Sequence, residues 1–282
     1  MACPTEPVAP PDAGVSDVDA GQAAPDLVWH EVVNNYAPGA VLSVWSSGPD
    51  NVWMVGGERG VGFALHFDGV QWTRHDPGTG AQLWWVHGWD DGTVMVVGEQ
   101  GGAARYDGTS WSLLNTGASR VVFYGVWGAA SDDVWAVGGA QPGLEDPEAG
   151  EPNALYHYDG TSWTKVPIAP QFRQGEGENL FKVWGLDAQT VFIVGNNGRA
   201  LHKTVESWGD RETPFNQDTL FTLSGRAYDD VYAVGGTASA LMIHWDGRVW
   251  KSVPMPPQSP TSLPGVWTAP DQPVFVAGAR GF

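Results

Sequence analysis

The chain has 282 residues, a formal charge of −18 at pH 7 and a single cysteine, Cys3. The charge argues against a nucleic-acid or anionic-lipid partner. One cysteine excludes an intramolecular disulfide framework, and no apolar run reaches the ~18 residues of a membrane-spanning helix.

Residues 1–26 are rich in Ala, Pro and acidic residues and hold few large apolar side chains. Such a segment buries too little apolar surface to offset the entropy of ordering, so we expect a disordered tether. Its start, Met1-Ala2-Cys3 before a proline, resembles the processed end of a bacterial lipoprotein. The resemblance implies a lipid on Cys3 and an extracytoplasmic protein, anchored in the cell envelope or secreted. A disordered tail with a chance cysteine is the alternative.

After residue 26, one pattern recurs along the chain. Its first position, a Trp in four of six copies, recurs at intervals of 42, 40, 57, 40 and 43 residues. These first positions, called anchors below, are Trp45, His87, Trp127, Trp184, Ser224 and Trp267. A repeat of about 40 residues with four short strands is one blade of a β-propeller.

Each copy holds the same strand signals in the same order. A β-branched and aromatic run after the anchor predicts a buried second strand, as in Val134-Trp135-Ala136-Val137-Gly138. An Asp-Gly pair then predicts a hairpin turn. The fourth strand is predicted to begin at a tryptophan, namely Trp72, Trp111, Trp163, Trp208 or Trp250. No segment has sustained helical periodicity, so helix should be almost absent.

We therefore predict an all-β fold over residues 27–282, a six-bladed propeller of four-stranded antiparallel blades. The sixth blade is incomplete, because only four residues follow Gly278. The segment Leu27–Val33, which contains Trp29, is expected to supply its fourth strand and so close the ring. A truncated seven-bladed propeller is the alternative.

With Val-Trp-Gly, Asp-Asp-Val-Trp-Ala-Val-Gly and Tyr-Asp-Gly-Thr-Ser-Trp in register, residues 27–282 resemble the Trp-rich propeller repeats of secreted and surface-anchored bacterial proteins. The chain is more distantly similar to kelch, tectonin and Asp-box repeats. The resemblance implies the fold but not the activity, because propellers include lectins, scaffolds, hydrolases and lyases.

Histidines and aspartates follow the repeat instead of forming a cluster. Four histidines occupy one slot in separate blades and cannot converge on one ion; they are His66, His157, His202 and His244. Paired aspartates before the second strand suit turns, and the spacing of a calcium loop is absent. No nucleophile elbow, Walker loop or zinc spacing occurs. We therefore predict no metal, no cofactor and no catalytic residue.

Loops between strands two and three, and those between blades, should emerge on one face, which we call the irregular face. Two insertions, residues 140–153 and 170–178, belong to it and suit binding. Aromatic residues three positions before the anchors could contact a ligand or pack between blades. The predicted ligand-binding residues are Arg59, Glu99, Tyr124, Glu145, Asp146, Glu148, Phe181, Asn197 and Arg280.

The hypothesis that follows is a monomeric, non-enzymatic, extracytoplasmic propeller that binds a protein or a glycan through this face. A carbohydrate-binding lectin is one alternative, although lectin sites usually repeat in every blade. A hydrolase or lyase that uses the central pocket is the other. The enzyme alternative requires His87, Glu99, Arg59 and Arg280 to converge on one cavity.

Overall fold

The computed structural model describes residues 39–58, 60–142, 153–168, 179–203, 208–256 and 259–279. Within these ranges, strands form five four-stranded antiparallel sheets and one two-stranded sheet, each in chain order. The chain is a six-bladed β-propeller whose sixth blade is partial, as the repeat predicts. The only helical element in the described ranges is a 3₁₀ turn at Glu99–Gly101.

The first three blades are complete. Blade 1 contains β1 (Ala40–Gly48), β2 (Asn51–Glu58), β3 (Val61–Phe67) and β4 (Trp72–His75). Blade 2 contains β5 (Leu83–Gly88), β6 (Val94–Gly98), β7 (Ala103–Tyr106) and β8 (Trp111–Leu113). Blade 3 contains β9 (Val121–Ala130), β10 (Asp133–Ala140), β11 (Ala154–Tyr158) and β12 (Trp163–Lys165).

The last three blades follow the same plan. Blade 4 contains β13 (Leu180–Gly185), β14 (Val191–Gly195), β15 (Ala200–Lys203) and β16 (Trp208–Asp210). Blade 5 contains β17 (Leu220–Ala227), β18 (Asp230–Gly235), β19 (Leu241–Trp245) and β20 (Trp250–Ser252). Blade 6 contains β21 (Gly265–Trp267) and β22 (Phe275–Ala277). All five fourth strands begin at the predicted tryptophan.

The hydrophobic core lies between the blades. Buried residues of blades 1 and 2, for example Trp53 and Val86, form one cluster, and each following pair of blades forms another. Trp53 meets Trp111 of blade 2 edge to face, with ring centroids 5.8 Å apart. Since each aromatic side chain removes ~150–250 Å² from water, these contacts hold neighbouring blades together.

The glycine after the anchor makes room for the preceding blade. First strands of successive blades lie side by side. The Trp127 ring of blade 3 lies over Gly185 of blade 4, where a Cβ would be 2.6 Å from it, and Trp184 lies over Gly225 in the same way at 2.7 Å. The repeated Trp-Gly pair is therefore an inter-blade contact, in which glycine is required by space and not by its backbone angles.

The repeat-slot histidines stabilise single blades. Each packs against an aromatic residue of the second strand, with ring centroids 4.2 to 4.4 Å apart. Nε2 of His157 lies 2.6 Å from Oδ1 of Asp133, and Nε2 of His244 lies 3.0 Å from Oδ1 of Asp230. These two aspartates thus bond to histidine, whereas Asp91 has the turn role predicted for such residues and accepts the Thr93 N–H at 2.8 Å.

The outer faces of blades 1 and 6 are exposed within the described part of the chain. Val44 is 59% exposed, whereas its counterparts in blades 2 to 5 are at most 1% exposed. Trp267 is 54% exposed, although its repeat slot predicts packing between blades. No described strand covers Val44 or Trp267. The predicted closing strand Leu27–Val33 and the predicted tether lie outside the described residues.

Candidate functional site

Four aromatic residues form a continuous row along the inner strands of blades 2 to 5. They are Trp84, Tyr124, Phe181 and Phe221, each partly buried and each three residues before an anchor. Ring centroids are 5.1 Å apart from Trp84 to Tyr124, 5.2 Å from Tyr124 to Phe181, and 5.9 Å from Phe181 to Phe221. We call these four residues the aromatic row.

A β-bulge presents every member of the row. The pairing of first and second strands skips one residue in each complete blade, and the skipped residue is Leu42, Trp84, Tyr124, Phe181 or Phe221. A bulge leaves its extra residue unpaired and turns that side chain out of the regular alternation. The row therefore lies where inner strands begin, at the irregular-face end of the propeller.

The glycine near the end of each second strand makes the bulge possible. A Cβ on Gly138 would lie 1.9 Å from the carbonyl oxygen of Val122, and a Cβ on Gly235 would lie 1.9 Å from that of Thr219. The bulge pushes the first-strand backbone into the space that a side chain would occupy. The bulge therefore requires the glycine of the Val-Gly pair. The bulge in turn sets the direction of the side chains in the aromatic row.

Glu99 lies next to this row. It is buried, and its backbone N–H donates to the carbonyl of Gln82 at 3.0 Å. Burial, together with the charge of Glu99, raises the pKa of Tyr124 above its usual value. The structure thus brings together three predicted site residues, Glu99, Tyr124 and Phe181.

Asn197, another predicted site residue, belongs to a tight turn of blade 4. It has a φ of 54°, and Gln100 has a φ of 56° at the equivalent position of blade 2. The neighbouring Asn196 side chain accepts the Asn179 N–H at 3.0 Å. These polar residues shape the loops between strands two and three, which explains why they recur in front of a glycine.

The side chain of Lys182 extends from blade 4 over blade 3 to a residue of blade 2. Nζ of Lys182 in blade 4 lies 3.3 Å from the ring centroid of Trp85 in blade 2. The side chain passes over blade 3 because that blade has Gly125 two residues before its anchor, the slot that Lys182 and Trp85 occupy in theirs. Lys182 is partly buried, and burial lowers its pKa to about 7.

His87 belongs to the packing of the channel and not to a shared cavity with Glu99. Its ring is 4.9 Å from Trp89 and 6.3 Å from both Trp45 and Trp127, and burial with the nearby Lys182 charge lowers its pKa to about 3. His87 pairs with Met95, so Glu99 lies four residues further along the chain. That separation is about 13 Å at ~3.3 Å per strand residue, too far for joint acid–base chemistry.

A depression lies on the irregular face at blade 2, where the fourth strand ends. Its volume is ≈ 430 Å³, and Leu113, Asn115, Thr116, Thr79 and Gln100 are among its lining residues. Leu113 is an exposed apolar residue within it. The depression is on the same face as the row, and its lining contains no residue of the row.

The remaining predicted site residues fall outside the described ranges, so they stay predictions: Arg59, Glu145, Asp146, Glu148 and Arg280, together with the lipidation site Cys3. The sequence analysis missed Lys182 and Trp85. The sequence contained a signal for Lys182, because a lysine inside an otherwise apolar first strand departs from the repeat.

Across the described residues, no group of three or more His, Cys, Asp or Glu side chains could hold a metal ion. No helix in that same part of the chain is long and apolar enough to cross a membrane.

Comparison with solved structures supports the fold. A catalytically inactive virginiamycin B lyase from Staphylococcus aureus with quinupristin aligns with a TM-score of 0.62 and 13% identity, over 89% of this chain and 87% of that one. YCF48 from Cyanidioschyzon merolae aligns with a TM-score of 0.57 and 14% identity, over 86% and 94%. YCF48 bound to D1 peptide aligns with a TM-score of 0.55 and 19% identity, over 79% and 69%.

At these identities the likeness concerns the propeller fold alone. Neither the protein-family models nor the curated proteins contain a match to this chain.

Proposed function

We propose that this chain is a non-enzymatic binding propeller that recognises a protein partner through the aromatic row on its irregular face. The observation that carries the proposal is the row itself, four contacting aromatic side chains from four successive blades. Aromatic residues are enriched at the centres of protein interfaces, where they supply large apolar contacts. An extracytoplasmic location remains part of the proposal and rests on the lipoprotein-like start at Cys3.

Polar groups near the row favour a protein over a glycan. A sugar site combines an aromatic face with several free hydrogen-bonding groups. Here the Asn196 side chain already bonds to backbone, as does that of Gln141, which accepts the Gln100 N–H at 2.9 Å. The rings of the aromatic row also contact one another at edge-on and tilted angles, so they face each other in part. An apolar peptide segment matches this surface better than a sugar with many hydroxyl groups.

The comparison with solved structures also supports a protein or peptide as the partner. One structural neighbour, YCF48, was solved with a D1 peptide bound. A propeller of this kind can therefore bind a peptide, and we extend only that general mode of recognition to this chain.

The test is a selection of random displayed peptides against the purified protein, beside a glycan array. We expect apolar or aromatic peptides to bind, and replacing Tyr124 or Phe221 by alanine to weaken them by about thirtyfold, the effect of a hot-spot residue at ~2 kcal/mol. Val249→Ala is the matched control, because Val249 is an exposed residue of the Asp246-Gly247 turn on the opposite face.

Melting curves must show that the two aromatic variants remain folded. Selected peptides that bind the aromatic variants and the wild type equally would place the site elsewhere. Glycans that bind while no peptide does would favour the lectin alternative.

A further inference from the structure

The channel contains a cation without an anion. Lys182 forms no ion pair with any residue of the described ranges, and burial is the cause of its lowered pKa. Within the described part of the chain its close contact is with the face of the Trp85 ring, 3.3 Å from Nζ. A charged group kept from water without a counter-charge is costly, so such a residue is a candidate for function.

Trp84, Trp85 and Lys182 are each only partly buried, so a ligand can reach this lysine from the channel. Gly125 leaves room for the lysine side chain itself, because the Cα of Lys182 lies 3.2 Å from where a Gly125 Cβ would be. The indole N–H of Trp84, one residue before Trp85, is buried and has no hydrogen-bond partner within the described residues. An acceptor oxygen near the row would find an ammonium group and an unused N–H donor in neighbouring positions of the inner strands.

We propose that Lys182 binds the carboxylate of a ligand that enters the central channel, while Trp85 and the aromatic row contact the ligand's apolar part. A carboxylate has a single charge that matches one ammonium group, whereas phosphate sites usually combine several donors. The aromatic walls suit an aryl or alkyl body. The carboxylate can belong to a small acid or to the end of a peptide.

The net charge of the chain does not prevent this. A charge of −18 repels anions at a distance, but salt confines that field to about 8 Å at physiological ionic strength. In the proposed arrangement the carboxylate lies at Lys182, whereas Glu99, the buried acid beside Tyr124, lies toward the ligand's apolar part. The inference goes beyond the proposed function, because a small acid can occupy the channel whether or not a protein binds the irregular face.

The first test is protection of Lys182 from acetylation by an uncharged active ester. The chain has four lysines, and Lys165, Lys203 and Lys251 serve as internal references in peptide mass spectra. We expect benzoate, at about twice its Kd, to slow labelling of Lys182 about threefold. The references should not change, and benzamide, which lacks the charge, should have no effect at equal ionic strength.

A second readout is the indole N–H spectrum, with Trp85 assigned through Trp85→Phe. Benzoate should shift the Trp85 signal in the wild type and in Lys182→Arg, but not in Lys182→Met. A peptide with a free C-terminal carboxylate is then compared with its amide, which distinguishes a chain end from a small acid as the source.

Equal protection by benzamide, or no protection of Lys182, would overturn the proposal. A lysine that the ester cannot reach would also overturn it, because a ligand could not reach it either. These outcomes are separate from those of the peptide selection, which depends on Tyr124 and Phe221 and not on Lys182.

Discussion

Replacing Gly138 by alanine should lower the free energy of unfolding by about 3 kcal/mol or more. The new Cβ would lie 1.9 Å from the carbonyl oxygen of Val122 and 3.0 Å from the Cα of Phe123, both backbone atoms. No rotation of a side chain can relieve that overlap, so the bulge that presents Tyr124 must rearrange. Urea unfolding, followed by tryptophan fluorescence, measures the change.

Gly48→Ala is the matched control, because no heavy atom lies within 4 Å of a Cβ at Gly48. Its stability should change by less than about 0.5 kcal/mol. If Gly138→Ala unfolded at the wild-type urea concentration, the proposed link between the repeat glycine and the bulge would be wrong. If it does not fold at all, Gly195→Ala provides a milder test at the bulge of blade 4, since its Cβ would lie 2.3 Å from the carbonyl oxygen of Asn179.

The blade plan follows from the repeat because each blade repeats the same local chemistry. In the turn between the third and fourth strands the Asp side chain accepts backbone N–H groups; Oδ1 of Asp159, for example, accepts the N–H of Thr161 at 2.9 Å and of Ser162 at 2.8 Å. These contacts lie within three residues, so they can be predicted from the sequence. The tryptophan that starts the fourth strand follows directly, as Trp163 does.

The site was predictable only in part, because it depends on contacts between blades. An aromatic residue three positions before each anchor is visible in the sequence, but the bulge that aims Tyr124 is not. Lys182 reaches Trp85 only because Gly125, in a third blade, leaves room. The contact between Lys182 and Trp85 joins residues that are 97 positions apart in the sequence. The repeat pattern does not predict a contact of that kind.

The exposure of Trp267 also depends on its position in the fold. Its slot is the same as that of Trp127, which is 8% exposed, yet Trp267 is 54% exposed. A repeat predicts packing only where another blade lies against the residue, and no described strand lies over Trp267. Local sequence therefore determines the blade, while the surroundings of a residue determine whether its aromatic side chain is covered.

Replacing Lys182 by methionine should stabilise the protein below about pH 7. Methionine has a similar length and no charge, so it removes the cost of a buried ammonium group. The pKa of Lys182 falls from 10.5 to about 7, and each pKa unit corresponds to about 1.4 kcal/mol, which gives an upper limit of about 5 kcal/mol. Partial solvent access and the Trp85 contact offset much of this, so we expect about 2 kcal/mol.

The sign of the pH dependence follows from proton binding. The unfolded chain keeps the Lys182 proton up to about pH 10.5, whereas the folded chain loses it near pH 7. Between these values the unfolded state binds more protons, so the stability of the wild type rises with pH. The advantage of Lys182→Met is therefore complete below about pH 7 and decreases as the pH rises toward 10.5.

The measurement is the difference in unfolding free energy between the wild type and Lys182→Met, followed from about pH 6 to about pH 9. Taking the difference cancels the groups that both proteins share. Val249→Ala, at an exposed position without a titratable side chain, should give a difference that is nearly independent of pH. A Lys182→Met difference that is equally flat would show that the lysine keeps an ordinary pKa. The channel would then contain no uncompensated cation, and a ligand carboxylate would have no special partner there.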